Sequence, residues 1–149
     1  MQSYHFLKAD MTAGSGKEPA WTVGETRTMK GKAVMCERGY HASPTLYDAL
    51  DYAPGPVACI VELGGPVEWQ SDKGVSLSRK LVKAVNVERE LYLFAADCAE
   101  HVAHIYTRKT KWQPAQTIEV VRRFANGQAT AEELAAGAAR AARAATEAA

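Results

Sequence analysis

The segment Gly39–Gly55, GYHASPTLYDALDYAPG, constrains the fold more than any other part of the chain. It contains a short β-like run, a helix start at Ser43-Pro44 and a stop at Pro54. A serine can accept hydrogen bonds from the free N–H groups of a first helical turn, and proline suits the first helical position. A proline followed by glycine ends a helix. The segment therefore predicts a strand, a short capped helix and a turn, with polar aromatic residues concentrated around them.

The rest of the first 93 residues consists of short β-branched and aromatic runs separated by glycine and proline. This pattern is typical of strands and turns. The strongest strand is predicted over Val57–Leu63, and others are predicted over Tyr4–Leu7 and around Lys80–Val87. We therefore expect a small, twisted, mainly antiparallel sheet in this part of the chain.

After residue 93 the hydrophobic period becomes helical. A first helix is predicted over Ala95–Tyr106 and a second from Gln113-Pro114 to Asn126-Gly127. Thr130–Glu133 has the spacing of a capping box for a third helix, which is rich in alanine and can bury little surface. The prediction is an α+β fold with a β-rich core over residues 1–93. Residues 94–149 are expected to form a helical extension that packs on this core as part of a single domain.

The composition disfavours several functional classes. The chain has 149 residues and a formal net charge of +1, which gives no bulk attraction to nucleic acid or to anionic membrane. No apolar run approaches the ~20 residues that span a bilayer. The start MQSYHFLKAD lacks the pattern of a signal peptide, and the three cysteines lack CxxC spacing. We therefore expect a cytoplasmic protein with reduced thiols and no membrane association.

Three polar residues of the first predicted helix form a weak candidate metal site. Asp97, His101 and His104 lie at positions i, i+4 and i+7 and hence on one helical face. Two imidazoles and a carboxylate could bind a metal ion, but the same residues would also suit a solvated polar face with an acid near the helix start. No fourth ligand is identifiable, so we predict no metal here.

A run of cations and aromatic rings follows on the same helix, a pattern that single-strand binding surfaces also show. The alternative is the basic end of a helix running into a loop. The near-neutral net charge disfavours nucleic acid, so we take this run as a candidate interaction surface for a protein partner. The residues concerned are Tyr106, Arg108, Lys109, Lys111 and Trp112. Four further cations could extend this surface or solvate an edge strand: Lys73, Arg79, Lys80 and Lys83.

Two other patterns are interpreted as structural. Gly14–Lys17 (GSGK) lacks the earlier glycine of a phosphate-binding loop, because position 11 is methionine, and we predict a surface loop. Cys36 and His41 could form a nucleophile pair. Cys36, however, is expected at the inward end of a strand, where cysteine usually behaves as a small hydrophobic residue.

Three motifs between residues 20 and 93 resemble a domain of unknown function found in phages and in bacterial genomes that carry prophages. They read W-T-V-G-E-T, C-E-R-G-Y-H-A-S-P-T-L-Y-D-A-L-D-Y and I-V-E-L-G-G. The later D-C-A-E-H-V-A-H-I-Y is similar to the alanine-rich extension that often accompanies that domain. The resemblance implies a small cytoplasmic accessory protein of phage type and supplies no catalytic residue.

A fainter resemblance links the chain to ADP-ribosyltransferases of the His-Tyr-Glu type. Tyr4-His5-Phe6 is similar to the first element of that family, and Gly39-Tyr40-His41-Ala42 to the second. The resemblance implies that His5 contacts the adenosine ribose of NAD and that Tyr52 stacks on nicotinamide, with His41 as a further cofactor-binding candidate. Phe6 departs from the family, which usually has glycine at that position.

The same resemblance implies a glutamate on a later strand, which would polarise the ribose. Glu62, Glu68 and Glu90 are the candidates, and the sequence does not choose between them. The catalytic set under this hypothesis is therefore His5, Tyr40 and one of three glutamates.

Two hypotheses follow. In the first, the protein is an accessory factor that uses no cofactor and binds a macromolecular partner, as an inhibitor of a host defence or regulatory machine. In the second, it is an NAD-dependent ADP-ribosyltransferase or a degenerate relative that still binds a nucleotide. Convergence of His5, Tyr40, Tyr52 and a glutamate on one cleft would favour the second.

Overall fold

Within residues 2–14, 18–109 and 114–147, which the structure describes, the computed structural model of the protein has seven strands and four helices. The chain divides into two compact units, residues 1–87 and 88–149. The boundary that we expected between residues 93 and 94 lies inside a helix that begins at Glu88. Packing of the helical extension on the β-rich core stays a prediction.

Two antiparallel sheets form the first unit. One has the strand order β1 (Gln2–Leu7), β4 (Val57–Gly64), β7 (Ser78–Asn86), β2 (Thr26–Thr28). The other has the order β3 (Tyr40–Ala42), β6 (Gly74–Ser76), β5 (Glu68–Trp69). The α+β class and the antiparallel pairing are confirmed, and two sheets stand where we expected one.

Alternation along the strands of the larger sheet builds the core between the sheets. The inward side chains of β4 lie at every second position, as a strand period of two requires. In the register of β1 with β4, Leu7 is opposite Val57 and His5 is opposite Cys59. His5 therefore shares the inward face of β1 with Leu7. The core cluster is Leu7, Trp21, Tyr40, Ala42, Val57, Cys59, Val61, Leu63 and Leu81.

A pair of backbone hydrogen bonds joins the two sheets next to this core. The Tyr4 N–H donates to the Ser43 carbonyl oxygen, and the Ser43 N–H donates to the Tyr4 carbonyl oxygen, each at 2.8 Å. These bonds place the residue after Tyr4 beside the end of β3. The pairing of Tyr4 with Ser43 thus brings His5 close to Tyr40 and His41, although His5 is far from both of them in the chain.

Helix α1 (Leu46–Leu50) starts later than the sequence predicted. Its cap is Thr45, whose hydroxyl oxygen accepts a hydrogen bond from the Asp48 N–H at 3.1 Å. Ser43 cannot cap the helix because both of its backbone polar groups pair with Tyr4 in an extended conformation. The prediction of a capped helix is confirmed, and its capping residue was wrong.

Three helices form the second unit: α2 (Glu88–Lys109), α3 (Ala115–Ala125) and α4 (Ala131–Glu147). The rings of Tyr92 and Phe124 meet edge to face at 5.1 Å and join α2 to α3. The predicted capping box of α4 is confirmed, because the Thr130 N–H donates to Glu133 and the Glu133 N–H donates to the Thr130 hydroxyl. None of the helices in the described ranges is both long and apolar enough to cross a membrane.

Position 39, which precedes β3, requires glycine because of its backbone conformation and because a side chain has no space there. Its φ is +134°, and a Cβ there would overlap Val75 Cγ2 and lie 3.0 Å from the Ser76 carbonyl oxygen. Gly65 also has a positive φ, of +74°, but a Cβ there would meet nothing within 4 Å. Alanine substitutions at these two positions therefore distinguish the cost of backbone strain from the cost of overpacking.

We predict that Gly39→Ala lowers the free energy of unfolding by roughly 2–5 kcal/mol, the sum of strain and overpacking. Gly65→Ala should cost only the strain, about 1–2 kcal/mol. Urea unfolding followed by circular dichroism measures both variants. Equal losses would show that Val75 and Ser76 do not restrict position 39.

Candidate functional site

A cavity of about 480 Å³ lies in the first unit where strands β1 and β3 come together. Its volume is within the range of pockets that hold small molecules. Polar and aromatic side chains from distant parts of the chain line it, among them His5, Tyr40, His41, Tyr52, Lys73 and Arg79.

The structure brings together the histidine and both tyrosines of the ADP-ribosyltransferase resemblance, but not its glutamate. Glu62 is an exposed residue of β4, and Glu68 of β5 lines a different cavity. Glu90 belongs to the second unit, where it pairs with Arg89 at 3.4 Å. The carboxylates that line the cavity are instead Glu18 and Glu37, which sequence reasoning did not consider.

The imidazole of His5 points into the cavity region with an unpaired nitrogen. Its Nε2 is buried and has no hydrogen-bond partner among the residues that the structure describes. Burial lowers the pKa of His5 well below its ordinary value, and the positive charge of Arg79 and the neighbouring His41 lower it further. His5 is therefore neutral at pH 7 and has one buried nitrogen available to a ligand.

The orientation of His41 is fixed by the turn that precedes β3. The Cys36 backbone N–H donates to His41 Nε2 at 3.0 Å, so the neutral ring carries its proton on Nδ1. Burial lowers the pKa of His41, a hydrogen bond with the Gly39 backbone opposes this, and Lys73 and Arg79 lower it further. His41 thus acts as a neutral acceptor within the protein.

The prediction that Cys36 ends an inward strand was wrong. Cys36 is exposed in a turn and has a φ of +63°. The turn forms because the chain pairs Val34 with Arg38, which leaves too few residues for a strand. His41 Nε2 is already bonded to the Cys36 amide, so this geometry does not support a Cys–His nucleophile pair.

Arg79 of β7 forms the buried cationic part of the site. It is 3% exposed, and its guanidinium carbon lies 4.5 Å from the centroid of the Trp21 ring and 5.2 Å from that of Tyr40. Its Nη1 donates to the His41 carbonyl oxygen at 2.9 Å. Trp21 and Tyr40 meet edge to face at 5.6 Å. The guanidinium thus holds two aromatic rings and the end of β3 together.

A second arginine next to Trp21 has a different environment. Arg27 pairs with Glu25 at 2.6 Å and lies 4.0 Å from Glu18. No carboxylate in the described part of the chain forms an ion pair with Arg79. Burial lowers the pKa of Arg79 to about 10, so it still carries its charge at neutral pH.

Arg79 is a site residue that the sequence analysis did not identify, because it was considered only as a cation that could extend the basic surface or solvate an edge strand. Strand β7 lies inside the larger sheet, and Arg79 is on its inward face. The alternation of Arg79 and Leu81 with Lys80 and Val82 was the available signal, because residues two apart share a face.

Tyr52 lies at the exposed side of the cavity, and 47% of its surface is exposed. Its hydroxyl donates to the Asp72 carboxylate, which raises the pKa of Tyr52 and lowers that of Asp72. The Lys73 ammonium lies 4.7 Å from the centre of the ring. Lys73 thus lies against the ring of Tyr52 at the side of the cavity that both residues line.

The remaining candidate residues lie outside this cavity. The described ranges contain no group of three or more His, Cys, Asp or Glu side chains arranged to hold a metal ion. Asp97 accepts instead from Arg122 at 2.7 Å. Among the candidate interaction residues, Tyr106, Arg108 and Lys109 belong to α2, and Lys111 and Trp112 lie outside the described residues.

The fold and the cavity define an α+β domain of two antiparallel sheets with a polar, aromatic pocket where they meet. A family model described as "Domain of unknown function (DUF7666)" matches residues 1–92, which is more than half of the chain. The protein belongs to this family. The comparisons with curated proteins and with solved structures find no match.

The two neutral histidines predict a pH dependence of stability. Both have folded-state pKa values below ordinary values, so the unfolded state binds protons first when the pH falls. The stability that they contribute should be complete above about pH 6.5 and should be lost as the pH falls towards their lowered pKa values. For His5 the slope cannot exceed about 1.4 kcal/mol per pH unit.

Urea unfolding between pH 7 and pH 5 measures this slope. His5→Gln, which does not titrate, should reduce it, and Tyr47→Phe on the exposed side of α1 should leave it unchanged. An unchanged slope in His5→Gln would contradict the assignment of a neutral, buried His5.

Proposed function

We propose that this protein binds a nucleotide of the NAD type in the cavity. The observation that carries the proposal is the convergence of His5, Tyr40 and Tyr52 on one pocket. These residues come from three separate segments, and packing of the core alone would not require all three beside the same space. The resemblance to His-Tyr-Glu ADP-ribosyltransferases assigns the same three residues to NAD.

The chemistry of each group suits this ligand. Tyr52 offers a half-exposed aromatic ring at the cavity, and the stacking of a base on an aromatic ring contributes about 1–3 kcal/mol. His5 Nε2 is a neutral, buried atom that could bond a ribose hydroxyl. A buried polar atom without a partner is costly, so a ligand that pairs with it gains affinity.

We further propose that the protein binds this nucleotide and does not cleave it. Cleavage of the glycosidic bond through an oxocarbenium-like state needs a carboxylate close to the ribose. Glu62 and Glu68 do not line the cavity, and Glu18 is bonded to the Trp21 indole at 3.1 Å. Glu37 lies on an exposed turn, where water weakens its charge. The protein is thus closer to the degenerate nucleotide-binding relative than to the transferase.

Isothermal titration calorimetry with NAD tests the proposal. The wild-type protein should bind, and Tyr52→Ala should lower the affinity by roughly 10-fold or more through the lost stacking. Tyr47→Ala is the matched control, since Tyr47 is an exposed tyrosine of α1 that does not line the cavity. Equal affinities of the two variants would contradict the site, and absence of heat at millimolar NAD would contradict the function.

A second candidate function is supported by an exposed apolar pair on α1. Leu46 and Tyr47 are adjacent and are 47% and 73% exposed. Tyrosine is enriched at interface hot spots, and Leu46 adds exposed apolar surface beside it. We propose as the alternative that the protein is a cytoplasmic accessory factor of phage type that binds a protein partner, as an inhibitor of a host defence or regulatory machine.

A pull-down from host lysate with wild-type protein and Leu46→Ser/Tyr47→Ser tests this alternative. It predicts a stoichiometric partner that the double variant fails to retain. Recovery of no stoichiometric partner by the wild-type protein would count against it.

A further inference from the structure

We propose that Arg79 and Lys73 bind phosphate groups, so that the cavity selects phosphorylated nucleotides over nucleosides. This inference rests on the proposed nucleotide site and adds the chemical group that the site recognises. The two residues lie on β7 and in the turn before β6, and both line the cavity.

The first support is the charge balance around Arg79. A buried charge is costly unless it is paired, and a 3% exposed guanidinium is fully subject to that cost. Arg27, the other arginine next to Trp21, has Glu25 as its partner at 2.6 Å. Burial lowers the pKa of Arg79 and the charge of Glu18 opposes this, but Glu18 lies beside Arg27, and no acid in the described ranges forms an ion pair with Arg79. An anionic group of the ligand would supply the missing counter-charge.

The second support is the orientation of the guanidinium. Aromatic rings cover its face, and one N–H donates to the His41 carbonyl oxygen. A guanidinium has five N–H donors arranged around its edge in a planar fork. Its edge, unlike its face, is the part that binds phosphate oxygens in bidentate fashion. Stacking therefore holds Arg79 in a position that leaves further donors for a phosphate.

The third support is a second cation in the same cavity. Lys73 is half-buried with its ammonium over the Tyr52 ring. Hydrogen bonds with the Tyr52 hydroxyl and the Cys36 thiol raise its pKa, so it remains charged. Of the two acids that line the cavity, Glu18 lies beside Arg27 at 4.0 Å and is bonded to Trp21. The other acid, Glu37, lies on an exposed turn, so Arg79 and Lys73 are the charges of the cavity that we assign to the ligand.

The arrangement separates the parts of a nucleotide. The half-exposed ring of Tyr52 suits a base, the unpaired Nε2 of His5 suits a sugar hydroxyl, and Arg79 with Lys73 suits phosphate. A free base or a nucleoside would offer neither cation an anionic group. We therefore expect the phosphates to contribute a large part of the affinity.

Calorimetry with three probes tests the inference: ADP-ribose, adenosine and inorganic pyrophosphate. ADP-ribose should bind at least about tenfold more tightly than adenosine, because charge-assisted hydrogen bonds are the stronger ones. Lys73→Met should lower the affinity for ADP-ribose by about tenfold and leave the affinity for adenosine unchanged. Lys80→Met is the matched control, since Lys80 is exposed on the outward face of β7.

Arg79→Lys keeps the charge but loses the planar fork of donors, so it should also lower the affinity for ADP-ribose more than the affinity for adenosine. If this variant does not fold, Lys73→Met alone decides. Equal affinity for ADP-ribose and adenosine, with no effect of Lys73→Met, would overturn the phosphate site and leave the nucleotide function standing. If the protein binds pyrophosphate but neither ADP-ribose nor adenosine, the result would support the anion site and overturn the proposed function. Failure of all three probes would overturn both.

Discussion

The double hydrogen bond between the backbones of Tyr4 and Ser43 is the constraint on which the rest of the site depends. It ties the first strand of the larger sheet to the end of the smaller sheet, with both N–H to O distances at 2.8 Å. His5 follows one of these residues, and Tyr40 and His41 precede the other. The same pairing holds Ser43 extended and moves the helix cap to Thr45. Two backbone hydrogen bonds thus set the distance between side chains that are remote in sequence.

Arg79 then gives the meeting point of the sheets its chemical character. A well-packed apolar side chain at this position would often be as stabilising as a buried charge or more so. The chain instead stacks a guanidinium on Trp21 and Tyr40 and gives it no ion-pair partner among the described residues. Residues that violate the usual rules of core packing and polar pairing are expected at functional sites. Arg79 and the unpaired Nε2 of His5 are two such departures, and both line one cavity.

Features governed by local sequence were predictable, and features governed by strand register were not. Val57–Leu63 was predicted as a strand and forms β4, because its alternation and flanking glycines are local signals. The capping box at Thr130 followed for the same reason. The inward position of Arg79 depends on β7 being an inner strand, which only long-range pairing decides. The same holds for the candidate glutamates, because no signal in the neighbouring sequence shows whether Glu62 or Glu68 faces the pocket.

The ¹⁵N resonances of the His5 imidazole during addition of ADP-ribose test the central claim most directly. The claim is that the unpaired groups of this cavity are the contacts of a bound nucleotide. It predicts that the Nε2 resonance of His5 shifts in a saturable way as that nitrogen gains a hydrogen-bond partner. An unchanged Nε2 resonance at saturating ADP-ribose would contradict it.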